Sequence, residues 1–110
     1  MGSSKEMADA YITIGEYAKA NAILDELANN SVEYITWYMS LDDEKLAISY
    51  ENCVRHFIIL DEVVKSFDKM ATKVQEQPEA EVPVSFETAE HYAQKFEDLY
   101  TMFNVRLGKR

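Results

Sequence analysis

Tyr11-Ile12-Thr13-Ile14-Gly15-Glu16-Tyr17-Ala18-Lys19-Ala20 decides the reading of this chain. Gly15 stands where a helix commonly ends in a left-handed residue. Upstream of it Met7, Ala8, Ala10, Tyr11 and Ile14 recur with helical period, and downstream Tyr17, Ala20, Ile23, Leu24 and Leu27 do the same. The stretch therefore predicts two short helices, Ser4 to Ile14 and Glu16 to Ala28, folded back on each other. Ala20 is small where the first helix must come close.

The composition agrees. The 110 residues hold 47% hydrophobic side chains, enough for one domain with a modest core. With 3 Gly and 2 Pro few turns are encoded, which favours long helices over a many-stranded sheet. Twenty acidic against 11 basic residues leave a net charge of −9, which repels phosphate backbones and anionic lipid. No nucleic-acid partner is expected. No run approaches the roughly 20 apolar residues of a membrane span, so direct membrane insertion by this segment is not expected. Met1-Gly2-Ser3-Ser4 lacks the pattern of a signal peptide and resembles an expression scar.

Further along, Asn29-Asn30 predicts a break, because both side chains compete for backbone hydrogen bonds. Ser31 would then cap a short third helix carrying Val32, Tyr34, Ile35, Trp37, Tyr38 and Met39. Asp42 and Asp43 suit the positive end of a new helix. From Asp43 to about Val74, apolar or small residues fall at Leu46, Tyr50, Cys53, Phe57, Leu60, Val64, Phe67, Ala71 and Val74. These steps of four and three describe a heptad seam on one long helix of about 48 Å. Ile58, Ile59, Val63 and Met70 widen the face, so more than one partner helix is expected to pack on it. Gln75 to Val84, with Pro78 and Pro83, reads as an exposed loop. Ser85 caps a final helix of about 35 Å ending near Leu107, with a stripe of Phe86, Ala89, Tyr92, Ala93, Phe96, Leu99, Tyr100, Phe103 and Leu107. The hairpin of these two helices leaves the start of the longer one for the first three helices to cover.

The segment from Ala8 to Ala28, with Tyr11, Gly15-Glu16-Tyr17, Ala20 and Leu24, resembles a tetratricopeptide-type repeat. A longer string runs Tyr17-Ala18-Lys19-Ala20-Asn21-Ala22-Ile23-Leu24, Leu27-Ala28-Asn29-Asn30 and Glu33-Tyr34-Ile35-Thr36-Trp37-Tyr38-Met39-Ser40-Leu41. It is similar to the soluble helical tail of large multi-pass membrane proteins of the Bacteroidetes. Their membrane part resembles the protein O-mannosyltransferase type of glycosyltransferase. That resemblance implies a soluble accessory domain, tethered to the inner membrane through its parent on the periplasmic side. The family's presumed catalytic acids lie in the membrane part and match nothing in this chain.

The fold expected is all-α: a five-helix antiparallel assembly within a single domain, 1–110. Repeat-like helices fill 4–41, a long helix 42–74, a linker 75–84 and a last helix 85–107. The tetratricopeptide-like pair and the short aromatic helix pack on the long hairpin.

Few residues suggest chemistry. Tyr34, Trp37 and Tyr38 share one helical face, either as core against the long helix or as a stacking platform for a sugar or peptide. Tyr11 and Tyr17 would flank such a groove. Glu87 and His91 are spaced i, i+4 but lack the further ligands a metal needs, and neither HExxH nor ExxH occurs. Cys53 and His56 share a helix without an orienting acid, so a buried structural cysteine is expected. The glycines are isolated, so no phosphate loop exists. The acidic runs read as caps and solvated faces.

No catalytic residue, metal or cofactor is expected, and the fragment is read as no enzyme. Its expected role is a non-catalytic interaction or scaffolding domain whose partner is another protein or the rest of its parent chain. The alternatives are a structural cap of a helical array, self-association into a homodimer through the heptad seam, or a small enzyme.

Overall fold

A computed structural model describes residues 4–76 and 86–108, with the backbone alone for 86 and 87. All of its regular structure is helical: α1 (Ser4–Thr13), α2 (Tyr17–Met39), α3 (Asp43–Ile48), α4 (Tyr50–Glu76) and α5 (Phe86–Gly108). No strand occurs among the described residues. The all-α class expected from the sequence is thus present, with five helices among the described residues, although the second and third expected helices are one and the expected long helix is two. The extents of 52 × 30 × 15 Å fit two layers of helices. With Cα cylinders about 4.6 Å across and axes 8–10 Å apart, two layers span about 13–15 Å. A two-layer slab leaves every helix one outward face.

Helix α4 is the spine. It packs against α2, α5, α1 and α3. Of the largest fully buried side chains, Cys53, Leu60, Val63, Phe67 and Met70 belong to it, and Ile12, Leu24, Ile35 and Leu46 close on it from α1, α2 and α3. Aromatic rings form its seam with α5: Tyr50 on Phe103 at 5.7 Å, Phe57 on Phe96 at 5.6 Å, and Phe67 stacked on Tyr92 at 5.8 Å. Residue numbers rise on one helix as they fall on the other, so the pair is antiparallel. Each such ring pair adds about 0.5–1.5 kcal/mol beyond its area burial.

The turn at Gly15 matches its expectation. Gly15 has φ 82°, its N–H donates to the Ile12 carbonyl at 3.1 Å, and the Glu16 N–H donates to the Tyr11 carbonyl at 2.8 Å. These bonds satisfy carbonyls that the end of α1 would otherwise orphan. The turn lays Ala8 and Ile12 against Tyr17, Ala20 and Leu24, all buried. Three residues assigned to the packed face of this helix are not in it: Met7, Ala10 and Ile14 are exposed. The face is centred on Ala8 and Ile12. Asp9 ties α1 to α4, accepting from the buried Ser66 hydroxyl at 2.9 Å and from Lys5 at 2.6 Å. Burial works against its charge. Hydrogen bonds from Lys5 and Ser66, with the charges of Lys5 and Lys69, outweigh that and hold the carboxyl below its ordinary value.

The predicted break at Asn29-Asn30 does not occur: α2 runs unbroken for 23 residues, so the short aromatic helix is its C-terminal half. Asparagine costs at most about 0.7 kcal/mol in a helix interior, whereas burying a Leu or Ile gains about 1.5–3 kcal/mol. Leu24, Ala28, Ile35 and Tyr38 are all buried along one stripe that a break would split. Asn29 also has a use outside the backbone. Its side chain lies 3.0 Å from the Tyr92 hydroxyl, which donates to Asp25 at 2.7 Å. Ser31, expected as an N-cap, is instead buried mid-helix.

The predicted single helix from Asp43 is divided at Ser49. The Ser49 N–H is shared between the carbonyls of Lys45 (3.0 Å) and Leu46 (3.1 Å), a local tightening at the end of α3. Asp42, expected near the positive end of this helix, caps α3, accepting from the Lys45 N–H at 2.8 Å. The coverage of α4 also differs from expectation. Helix α2 runs along most of its length, and α1 sits at its C-terminal half rather than over its start. The expected 75–84 loop, apart from Gln75 and Glu76 within α4, lies outside the described residues, as do the Ser85 cap, the Phe86 side chain and Lys109-Arg110.

Arg106 closes the far end of the slab. Its guanidinium donates to the carbonyls of Met39 (2.8 Å) and Leu41 (2.6 Å) and to Asp43 (2.8 Å). A cation thus sits on the negative end of α2 and joins it to α5 and α3.

Two stability measurements test this account. In urea unfolding, Gly15→Ala should cost about 1–2 kcal/mol from left-handed strain alone, since nothing lies within 4 Å of an added Cβ. Arg106→Ala should cost about 1.5–3 kcal/mol, and Arg106→Lys should recover little of it, because an ammonium lacks the planar fork. A loss under about 0.5 kcal/mol would remove Arg106 from the structural role assigned to it.

Candidate interaction surface

The five sequence-selected aromatics do not form one site. Tyr17 and Tyr38 are core residues, 4% and 8% exposed, and Tyr11 is partly buried where α1 meets α2, with the Lys19 ammonium 5.6 Å from its ring centroid. Tyr34 and Trp37 are different: they are 53% and 57% exposed. Tyr17 lies 17 positions before Tyr34, about 25 Å along the helix, so the two ends of α2 cannot serve one small ligand. The expectation that Tyr34, Trp37 and Tyr38 share a face therefore resolves into one inward ring and two outward ones.

The reason is geometric. Residues three and four apart are separated by about 300° and 400° around a helix, so only part of the triplet can face α4. Tyr38 takes the inward position, with Trp37 edge-on to it at 5.1 Å. Tyr34 is at the border and lies flat on His56 of α4, centroids 4.6 Å apart and planes 13° apart. Asn30, Glu33, Tyr34 and Trp37 line a shallow depression of ≈ 540 Å³ on the outer side of α2. It offers two ring faces, a carboxylate and an amide, a set suited to stacking and hydrogen bonding.

His56 supports this surface from beneath. Its Nδ1 is buried with no hydrogen-bond partner among the described residues. Burial pushes its pKa below the ordinary value. Cys53, one turn earlier, is fully buried, and burial pushes its thiol up to about 11, which removes the thiolate a nucleophile needs. Tyr92 is likewise held protonated, by burial and by Asp25. Among the described residues no cluster of His, Cys, Asp or Glu is arranged to hold a metal. The Glu87 side chain lies outside the described residues, while His91 stands exposed, edge-on to Tyr92 at 5.1 Å.

A second concavity, of ≈ 410 Å³, runs between α4 and α5 on the side away from α2. Phe57, Phe96 and Phe103 line it, with Ile58 and Tyr100 exposed at its lips. Sequence reasoning did not isolate this groove. The available signal was the excess of apolar positions on the long helix, which was assigned to additional partner helices of the same chain. The heptad seam itself is absorbed internally, since Cys53, Phe57, Leu60, Phe67 and Ala71 are all buried within the one chain. That removes the motive for pairing through it.

No helix among the described residues is long and apolar enough to cross a membrane. No protein-family model, curated protein or solved structure matches the chain.

The buried imidazole yields a pH prediction. The unfolded chain binds a proton on His56 near its ordinary value of 6.5, and the folded chain resists it. Protonation thus favours unfolding: stability is full above about pH 6.5 and falls as pH drops below it toward the folded value. Urea midpoints at pH 7.5 and 5.5 should differ in this sense. His56→Phe, which keeps a ring under Tyr34, should reduce the difference.

Proposed function

We propose that this chain is a non-catalytic protein-interaction module whose contact surface is the Tyr34–Trp37 face of α2. The observation that carries the reading is the exposure of two large rings on a rigid helix, next to a core that has taken their neighbour Tyr38. Tyrosine and tryptophan supply large contact area at low entropic cost, which is why they dominate binding hot spots. The resemblance to the tails of membrane glycosyltransferase-like proteins suggests the setting. There the module holds an acceptor or partner polypeptide beside the membrane enzyme, tethered on the periplasmic side.

A second reading, a cap on a helical array of the parent, draws on the length of α1. At 10 residues against 23 for α2, it covers less than half of its neighbour and leaves the Tyr34 end open. In that case the polypeptide that binds is the parent's own adjoining helix.

Peptide display against the folded chain tests the proposal, with counter-selection on the Tyr34→Ala/Trp37→Ala double variant. Enriched peptides should shift the emission of Trp37, the single tryptophan, and bind the double variant at least about tenfold more weakly, or ~1.4 kcal/mol. The variant should keep its circular dichroism, because both side chains are largely exposed. Failure to enrich any peptide, or equal binding to both proteins, overturns the assignment.

A further inference from the structure

We propose that the α4–α5 groove is a second docking site, shaped for a basic amphipathic helix of about three turns from a partner protein. The inference rests on the reading of the chain as an interaction module but uses a different face.

Length comes first. The lining residues run from Tyr50 to Asp61 on α4 and from Phe96 to Leu107 on α5. Each span is 11 steps, about 16 Å of helix, which matches three turns. The floor is apolar and already rigid: Phe57 meets Phe96, Tyr100 and Phe103 at 5.6, 5.4 and 5.2 Å. Ile58 is 53% exposed and Tyr100 45% exposed at opposite lips. A helix laid between them would cover both lips with apolar residues at i, i+4 and i+7.

Charge then selects the occupant. Along the α4 side of the groove, Glu51, Asp61 and Glu62 stand against Arg55 and Lys65, with Lys65 bridged to Asp61 at 3.1 Å. At the α5 lip helical period places Glu97 beside Tyr100, with no cation on that stripe of the groove among the described residues. Of the described α5 cations, Lys95 falls on the far side of the helix from Glu97 by period, and Arg106 is engaged with Met39, Leu41 and Asp43. The whole chain carries −9. A second copy would bring a like-charged lip and a like-charged body to the groove. A helix with lysine or arginine flanking its apolar stripe meets opposite charge.

The probes are lactam-bridged 14-residue peptides, followed by fluorescence anisotropy. One carries leucine at i, i+4, i+7 and i+11 with lysine elsewhere, one carries glutamate in place of lysine, and one is the lysine peptide with its leucines replaced by serine. The leucine/lysine peptide should bind one-to-one and saturate, and the other two should bind at least tenfold more weakly. Ile58→Asp and Glu97→Lys should each weaken the first peptide at least fivefold with circular dichroism unchanged. Trp37→Ala should leave it unaltered.

Equal binding of the glutamate or serine peptide overturns the proposal, as does indifference to Ile58→Asp, which would show charge attraction without the groove. A dimer in sedimentation velocity that Ile58→Asp dissociates also overturns it, by making a second copy the occupant. Each of these failures leaves the display result on Tyr34 and Trp37 standing. Absence of any displayed peptide that depends on Tyr34 and Trp37 sinks the first assignment and not this one.

Discussion

Helix α4 carries apolar residues around more of its circumference than one neighbour can cover, and the arrangement of the chain follows from that. Cys53, Leu60, Val63, Phe67 and Met70 are fully buried on it. Each large side chain among them contributes about 1.5–3 kcal/mol on burial, more than a typical surface ion pair at about 0–1 kcal/mol. Helix α2 takes one flank, α5 another, and α1 and α3 fill what remains at the two ends. The turn at Gly15 sets α1 antiparallel to α2, and the ring contacts of α4 with α5 show that pair antiparallel as well. This leaves α2 and α5 parallel, bridged by Tyr92 to Asp25 and Asn29 at one end and by Arg106 to Met39 and Leu41 at the other.

The same constraint generates the surfaces. Two layers of helices bury the inner stripes and necessarily leave outer ones. On α2 the outer stripe carries Tyr34 and Trp37, and between α4 and α5 it carries Ile58 and Tyr100. The strongly shifted groups, Cys53 and Tyr92, are buried in structural roles and held in their protonated forms. Perturbation of this kind, without a convergent pocket, describes packing rather than chemistry.

Several sequence readings carried through because they depend on local rules. Gly15 ends α1 through backbone freedom that only the glycine there supplies, and Asp42 caps α3 through its own side chain. Ala8, Ala20 and Leu24 pack where period and size put them. The readings that did not carry through were local signals outweighed by distant burial. Asn29 and Asn30 spell a break until Leu24, Ala28, Ile35 and Tyr38 are packed on one stripe against α4. Met7 and Ile14 share the period of the α1 core face yet lie beyond its edge. The border between core and rim cannot be drawn from spacing, because a helical face has no sharp limit until a neighbour defines it.

The amino-acid order by itself determined the helical class, the turn at Gly15, the cap at Asp42 and the central position of the long apolar helix. Each follows from interactions within a few residues or from periodicity along one element. The tertiary structure alone decided that Tyr38 points inward while Tyr34 and Trp37 face out, that Arg106 clasps the end of α2, and that a groove opens between α4 and α5. Those outcomes depend on residues distant in sequence meeting in space, up to 67 positions apart for Arg106 and Met39, and no local pattern encodes which of several apolar side chains the neighbouring helix will reach.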